Sequence, residues 1–257
     1  LDAESSAQLG YSIVEHHGRN VSNDEVDWWV GVAEGNPYFL GELANHWIET
    51  GERHVAPPSL SAVIRQRLAR LQPDALQVLQ ACALLDANCS IDRIEGVLNY
   101  QHHELLQSIN DLGNLGMLVL DSDTSVNPHT RLAARHELLA NAAEQSLTAP
   151  ARAFLHRRIA LVLEAEVASN PSASIFWDCA KHWQLSGNGS RAFQIASSCA
   201  THLMELGLCS SAAEAYEKSM AFCSSDSQRL ELLEGLAAAY YRASDWARLA
   251  ETAAKVR

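Results

Sequence analysis

Apolar residues recur at the three- and four-residue spacing of an amphipathic helix through most of this chain, and that periodicity limits the fold more than any other feature. One stripe runs from Leu60 to Leu71, another from Leu76 to Ala83, and a third from Leu155 to Leu163. Stripes of this kind bury one face of each helix against a core. We therefore predict a mainly α protein built from packed amphipathic helices.

One segment has the pattern of a β-strand. It spans Gly116–Asp121, and it is followed by the polar loop Ser122–Pro128 and a short return near Arg131–Arg135. Four helix-like segments precede it: Leu60–Leu71, Pro73–Leu85, Ile91–Leu98 and His103–Leu115. Several helices followed by a short β-ribbon indicate a winged helix, so this part of the chain is predicted to have that fold.

Proline-containing breaks divide the chain. Ala56–Pro58 ends any helix before Ser59, and Thr148–Pro150 and Ser169–Ser172 follow further on. Proline lacks the backbone donor and clashes with the preceding helical turn, so these segments are natural boundaries. We predict three regions: a small helical lid domain over residues 1–58, a winged-helix domain over 59–148, and a helical linker with repeats over 149–257.

The last third of the sequence contains a degenerate repeat. Residues Ala212, Tyr216 and Ser219 follow Leu206–Gly207 at the spacing of a tetratricopeptide repeat, and Ala238–Trp246 begins a second unit. The turn positions Gly207 and Ser244 are 37 residues apart, close to the usual repeat length of ~34 residues. This region is predicted to be a tetratricopeptide-like α-solenoid.

The charge balance argues against nucleic acid as a partner. The formal net charge is −12, from 31 acidic and 19 basic residues, whereas nucleic-acid binders carry a basic stripe. The recognition helix of the winged helix would be about His103–Leu115, and residues 99–121 contain neither lysine nor arginine to contact phosphates or base edges. We therefore expect no direct nucleic-acid binding by this fragment.

Cysteine usage and apolar run length bear on the compartment. The six cysteines form no C-x-x-C pair and no metal-ligand spacing with histidine, which favours buried, reduced thiols in the cytoplasm. The longest apolar runs, such as Ala81–Leu85, are far too short to cross a membrane. Because the sequence opens on Leu1 and has no leader, we expect a cytoplasmic chain excised from a longer protein, with no membrane partner.

Motifs for catalysis or metal binding are incomplete. The dipeptide Gly-Lys of a Walker A loop occurs nowhere, so we expect no ATP hydrolysis and no enzyme activity from this chain alone. His103–Glu104 and His136–Glu137 begin a zinc-protease pattern, but Gln107 and Ala140 replace its second histidine. The glycine pattern at Gly187–Ala192 follows a helix rather than a strand, and we interpret it as a helix-helix turn. No catalytic or metal-binding residue is predicted.

A well-capped helix is predicted within Glu34–Leu43. Asn36 is a favourable N-cap, and Pro37 suits the first helical position, where its missing N–H costs nothing. An apolar stripe follows on one face of this helix: Phe39, Leu40, Leu43 and Trp47. The aromatic residues Trp28–Trp29 and Trp183 are interpreted as core, and His16–His17 are given no role.

An ordered series of segments then resembles one protein family. The series is Gly35–Leu43, Ser61–Leu71, Pro73–Leu85, Arg135–Leu139, Arg152, Leu155–Ala160, Ala180–Trp183 and Gly187. It resembles the lid, the winged helix and the start of the tetratricopeptide sensor of STAND-class signal-transduction ATPases, such as the large LuxR-like bacterial regulators. The resemblance spans nearly the whole chain but includes no P-loop domain.

The resemblance implies a nucleotide site and a set of partners. In that family the lid proline lies against the adenine, and a histidine opening the last winged-helix helix contacts the phosphate of ADP. By position these residues are Pro37 and His136, with Gly35 and Asn36 in the same lid motif. ADP or ATP would be held only together with an upstream P-loop ATPase domain of the same parent chain. An unidentified protein or small-molecule inducer is expected at the repeats.

Two interpretations remain open at this point. In the first, the chain is the regulatory fragment of a nucleotide-switched ATPase in signal transduction and transcription regulation. In the second, it is a protein-protein interaction scaffold with no nucleotide role, in which the winged helix is a spacer and the repeats bind a partner protein.

Overall fold

The computed structural model describes residues 1–33, 35–51, 60–121 and 131–255. Within these residues the chain forms fourteen α-helices and one two-stranded sheet, which confirms the prediction of a mainly α fold. The predicted break at Ala56–Pro58 and the predicted loop Ser122–Pro128 lie outside the described residues, as does Glu34.

Three helices form the N-terminal part: α1 (Ala3–His16), α2 (Asn23–Ala33) and α3 (Pro37–Thr50). They pack on one another around the following buried residues: Val14, Val26, Trp29, Ala33, Leu40, Leu43, Ala44 and Trp47. The rings of Trp29 and Trp47 meet edge to face with centroids 5.8 Å apart. The interpretation of Trp29 as a core residue is therefore confirmed.

Five helices and the ribbon make up the middle of the chain: α4 (Leu60–Leu68), α5 (Pro73–Leu85), α6 (Ile91–Leu98), α7 (His102–Asn114), β1 (Leu118–Asp121), β2 (Arg131–Ala134) and α8 (Glu137–Gln145). Ser90 bridges to Arg131, so a short extended segment before α6 pairs with β2. Helices followed by a two-stranded ribbon agree with the predicted winged-helix order.

Six helices form the C-terminal array: α9 (Ala149–Ser169), α10 (Ala173–Leu185), α11 (Gly189–Glu205), α12 (Cys209–Ser219), α13 (Asp226–Arg242) and α14 (Trp246–Lys255). Each helix packs mainly against the one before it and the one after it, as in a solenoid. The glycine pattern at Gly187–Ala192 covers the end of the turn after α10 and the first residues of α11, which confirms its interpretation as a helix-helix turn.

Three turns of this array share one backbone motif. Gly187, Gly207 and Ser244 each adopt a left-handed conformation just after a helix. In each case the next residue donates its N–H to the carbonyl oxygen five positions back, as from Leu208 to Leu203. This is the Schellman pattern, which satisfies the last carbonyls of a helix. Gly207 and Ser244, which the sequence places at equivalent repeat positions, therefore have the same local structure.

The contacts define two compact units. Unit 1 consists of residues Leu1–Ala83, Gln107–Val119 and Ala134–Ser146, and unit 2 of Leu84–Leu106, Leu120–Ala133 and Leu147–Arg257. The chain thus passes from one unit to the other several times between α5 and α9. The region boundaries at residues 58 and 148 remain a prediction, because the units follow contacts rather than chain order.

Within unit 2, α6 is joined to α9 by specific contacts. Arg93 forms a two-pronged ion pair with Glu166, with nitrogen-oxygen distances of 2.9 and 2.8 Å. Arg158 donates to the carbonyl oxygens of Val97 and Gly96 at the end of α6, at 2.9 and 3.1 Å. Helix α6 is therefore bound directly to α9, the first helix of the array.

Candidate functional site

The start of α3 is fixed by its cap. The Asn36 side-chain oxygen accepts hydrogen bonds from the backbone N–H groups of Tyr38 and Phe39, at 3.1 and 3.2 Å. Pro37 occupies the first helical turn, and its side chain is exposed. Gly35 has a φ of 80°, a left-handed conformation that glycine adopts without steric cost. Residues 35–37 therefore form a preorganised helix start in which Pro37 is exposed.

The start of α8 is fixed by His136. Its backbone is extended, and its Nδ1 accepts a hydrogen bond from the N–H of Leu138 at 3.2 Å. A ring nitrogen that accepts carries no proton, so this cap assigns the neutral imidazole proton to Nε2. Nε2–H is therefore the group with which His136 can donate a hydrogen bond to a ligand.

Tyr38 and His136 bring the two helix starts together within unit 1. Their rings are stacked, with centroids 3.9 Å apart and planes inclined by 22°. Stacked aromatic rings contribute about 0.5 to 1.5 kcal/mol beyond the area that they bury. The residue after Pro37 is thus in direct contact with the histidine that the family resemblance implies as a phosphate ligand.

A cleft of about 520 Å³ opens beside this stack. Its walls come from α1, α3, the end of α7 and the residue before His136. They include these residues: Leu9, Ser12, Ile13, His16, His17, Pro37, Tyr38, Gly41, Glu42, Asn45, Gly113, Asn114, Leu115, Gly116 and Arg135. Volumes of roughly 300 to 1,000 Å³ with mixed apolar and polar walls are typical of small-molecule sites. This cleft is the candidate functional site.

One residue of the cleft wall, Glu42, belongs to a buried ion pair. The Nη1 atom of Arg67 is 2.6 Å from Oε2 of Glu42, and both side chains are less than a tenth exposed. Arg67 also donates from Nη2 to the carbonyl oxygen of Leu115 at 2.8 Å and from Nε to Glu49 at 3.2 Å. One guanidinium from α4 therefore binds α3 and the segment after α7, both of which line the cleft.

Burial and charge shift the pKa values of two groups here. Burial raises the pKa of the Tyr38 phenol above its usual range, and the Glu42 carboxylate raises it further. Burial lowers the pKa of Arg67, but Glu42 and Glu49 outweigh that effect, so the net shift is upward. Tyr38 therefore stays neutral, and its buried hydroxyl has no hydrogen-bond partner among the described residues. Arg67 stays charged.

The residues predicted from the family resemblance are partly assembled. Pro37 lines the cleft, whereas His136 contacts it through the Tyr38 ring and is not itself a lining residue. Asn36 and Gly35 shape the start of α3 and do not line the cleft. The assignment of all four to nucleotide binding remains a prediction.

Several cleft residues were not predicted from the sequence. Tyr38 and Arg135 lie inside the segments that resemble the STAND family, but the resemblance implies no role for them, and the sequence also indicates no role for His16 and His17, which line the cleft. Arg67 lies three residues after the buried Ile64, on the apolar face of α4. An arginine on the apolar face of a helix is the only feature of the sequence that could have indicated the buried ion pair with Glu42.

Comparison with protein-family models, with curated proteins and with solved structures finds no match for this chain. In the part of the chain that the structure describes, no helix has the length and apolar character to span a bilayer. Among the same residues no three His, Cys, Asp or Glu side chains are grouped to hold a metal ion.

Proposed function

We propose that this chain is the regulatory fragment of a nucleotide-switched signal-transduction ATPase of the STAND class. An upstream P-loop domain of the same parent protein would hold ADP or ATP, and this fragment would close over it. The array would receive a signal from a protein or small-molecule inducer. Hydrolysis is not assigned to this chain, because its sequence has no Walker A lysine.

The observation that carries the proposal is the contact between the lid motif and the start of α8. Pro37 and His136 are distant in sequence, yet the stacked ring of Tyr38 joins the two segments at the edge of one cleft. A helix start with an exposed proline offers a flat apolar surface for an adenine ring. The Nε2–H of His136 offers a donor for a phosphate oxygen.

The chemistry of these groups suits a switch rather than catalysis. A hydrogen bond from one neutral imidazole to a phosphate is sensitive to where that phosphate lies. Exchange of ADP for ATP would move or replace the acceptor, and two conformations with different affinities for the two nucleotides would change in population. Contacts at a helix start are well placed for this, because the cap fixes the ring.

The test uses the parent protein, purified with the region that precedes Leu1 and then denatured to release any bound nucleotide. Stoichiometric ADP in the wild type, with depletion in Pro37→Ala and in His136→Ala, is the expected result. Liquid chromatography with mass spectrometry identifies and counts the nucleotide. A well-folded preparation without any nucleotide in the wild type would refute the proposal.

A matched variant separates the nucleotide contact from the helix cap. In His136→Asn the side-chain oxygen still accepts from the first turn of α8, since asparagine is among the best N-caps. The Nε2–H donor and the stacked ring are lost. Depletion of ADP in His136→Asn, with unchanged helicity by circular dichroism, assigns the loss to the missing imidazole, through its donor or its stacking on Tyr38, and not to unfolding of α8.

A second candidate function is a protein-binding scaffold, and one feature of the array favours it. A groove of about 560 Å³ runs between α11 and α13, with hydroxyl, amide and charged groups on its walls: Ser190, Arg191, Phe193, Gln194, Ser197, Ser198, Gln228 and Glu231. Helical repeats bind extended protein segments in such grooves. A parent protein that has no P-loop and carries no nucleotide would favour this function.

A further inference from the structure

The described residues that line the cleft of unit 1 include an arginine that is not paired with a carboxylate. Arg135 lies on its wall with an exposed side chain, and the guanidinium has no ion-pair partner among the described residues. The one carboxylate among the lining residues is Glu42, and it is committed to Arg67 at 2.6 Å. Among the described residues that line the cleft, Arg135 is thus the one fixed positive charge, and no carboxylate pairs with it, in a chain whose formal net charge is −12.

The position of Arg135 is held by backbone structure on both sides. Its N–H donates to the carbonyl oxygen of Met117 at 2.9 Å, extending the pairing of β1 with β2. Its side chain lies over Gly116, where a Cβ would come within 3.2 Å of the guanidinium Nη1. Gly116 also has a φ of 65°, which glycine tolerates best. A side chain at position 116 would therefore come too close to the guanidinium of Arg135 in its present position.

The surrounding walls suit a ligand with one anionic end and one apolar face. Pro37, Leu9 and Ile13 supply apolar surface, and Asn45 and Asn114 supply amide groups for hydrogen bonding. A guanidinium presents paired N–H donors whose geometry matches two oxygens of a phosphate, so it discriminates phosphate more sharply than a point charge does.

We infer that Arg135 binds a phosphate group of the nucleoside diphosphate in this cleft, in addition to the hydrogen bond that the proposed function gives to Nε2–H of His136. This inference rests on the proposed function, and it adds a binding residue to it. The α8 cap already uses Nδ1 of His136, and one face of the ring is covered by Tyr38. His136 therefore has one N–H left to donate, whereas the exposed guanidinium of Arg135 has several N–H groups and no ion-pair partner among the described residues.

The experiment measures ADP and adenosine binding to the nucleotide-free parent protein by isothermal titration calorimetry. Arg135→Gln is expected to raise the Kd for ADP about 10- to 100-fold, the usual cost of losing hydrogen bonds to a charged group. Its Kd for adenosine, which has no phosphate, is expected to stay unchanged. Arg135→Lys keeps the charge but not the paired donors, and an intermediate Kd is expected.

Arg65→Gln is the matched control. Arg65 is an exposed arginine of α4 in the same unit and is not a cleft residue, so the same change in net charge there should leave both constants unchanged. Wild-type affinity for ADP in Arg135→Gln would overturn the inference and leave the proposed function intact. Equal weakening of ADP and adenosine binding would also overturn it, since that pattern indicates a distorted cleft. Failure of the wild type to bind ADP at all would refute the inference and the proposed function together.

Discussion

His156 and His182 face each other across α9 and α10, with their Nδ1 atoms 2.9 Å apart and both side chains buried. Burial, the neighbouring His156 and the charge of Lys181 lower the pKa of His182 to about 3. A neutral pair can share one hydrogen bond, in which one ring donates and the other accepts. Protonation of His182 would place a charge in this buried position.

This pair is expected to make the stability of unit 2 depend on pH. Between pH 6.5 and pH 3 the unfolded chain binds a proton at His182 that the folded chain does not, so the free energy of unfolding falls as pH falls. The loss is about 2 kcal/mol between pH 6.5 and pH 5. Urea denaturation at the two pH values measures it.

His182→Gln is the control for this effect. Glutamine can still hydrogen-bond to His156 but does not titrate, so the loss of stability between the two pH values should be smaller in the variant by most of that amount. Equal losses in wild type and variant would show that His182 is not the responsible group.

The sequence reveals the site residues whose structure depends on their neighbours along the chain, and it does not reveal those whose contacts come from other helices. Asn36 and Pro37 are recognisable because an N-cap and a first-turn proline depend only on their neighbours along the chain. The stacking of Tyr38 on His136, like the His156–His182 pair, joins residues on different helices. No spacing rule predicts such pairs, because they depend on how helices pack.

At the scale of elements, the turn between α13 and α14 differs from the two other Schellman turns of the array in the residue at its left-handed position. Gly187 and Gly207 hold the left-handed position of their Schellman turns, but Ser244 holds it with a φ of 58°. A residue with a Cβ is disfavoured there by about 1 kcal/mol relative to glycine. The Ser244 side chain is exposed, so its replacement removes little packing.

Ser244→Gly is therefore expected to stabilise the array by about 0.5 to 1 kcal/mol. The reverse change at the equivalent turn, Gly207→Ser, is expected to destabilise it by about the same amount. Thermal denaturation followed by circular dichroism compares both variants with the wild type. A lower melting temperature for Ser244→Gly would contradict the equivalence of the two turns.

The helices themselves were largely predictable from periodicity, and the reasons for the exceptions are physical. The stripes near Leu155–Leu163 and Leu76–Ala83 fall within α9 and α5, and the strand pattern at Gly116–Asp121 yields the shorter β1. Gly116 is not a strand residue, because it closes a Schellman turn after α7. Arg67 is a charged residue that is buried, and periodicity does not predict this because its burial depends on an ion pair with Glu42 from another helix.

At the scale of the whole molecule, α6 belongs to the same compact unit as the array. A fragment of residues 147–257 retains α9 to α14 but loses Arg93 and the carbonyl groups capped by Arg158. It also loses Gly96, which lies against Val162 so closely that a Cβ there would be 3.0 Å from that side chain. The packing surface of α9 would then face water.

We expect fragment 147–257 to be less stable than fragment 84–257 by about 2 to 4 kcal/mol. Both fragments contain the same three tryptophans, Trp177, Trp183 and Trp246, so urea denaturation followed by fluorescence reports on the array in each. Arg93→Ala in the longer fragment is expected to give an intermediate value. Identical denaturation midpoints for the two fragments would show that α6 contributes nothing to the array.

The repeated passage of the chain between the two units has a consequence for how such a protein can evolve. Gene recombination exchanges contiguous stretches of sequence, and a crossover after Ser146 would deliver a new array without the helix on which its first member packs. In such a chimaera Arg93 would come from one parent and the residue at position 166 from the other, so the ion pair with Glu166 would be lost wherever that residue differs. We therefore expect an exchanged array to keep its packing when the exchanged stretch begins before α6, because α6 and α9 then come from the same parent.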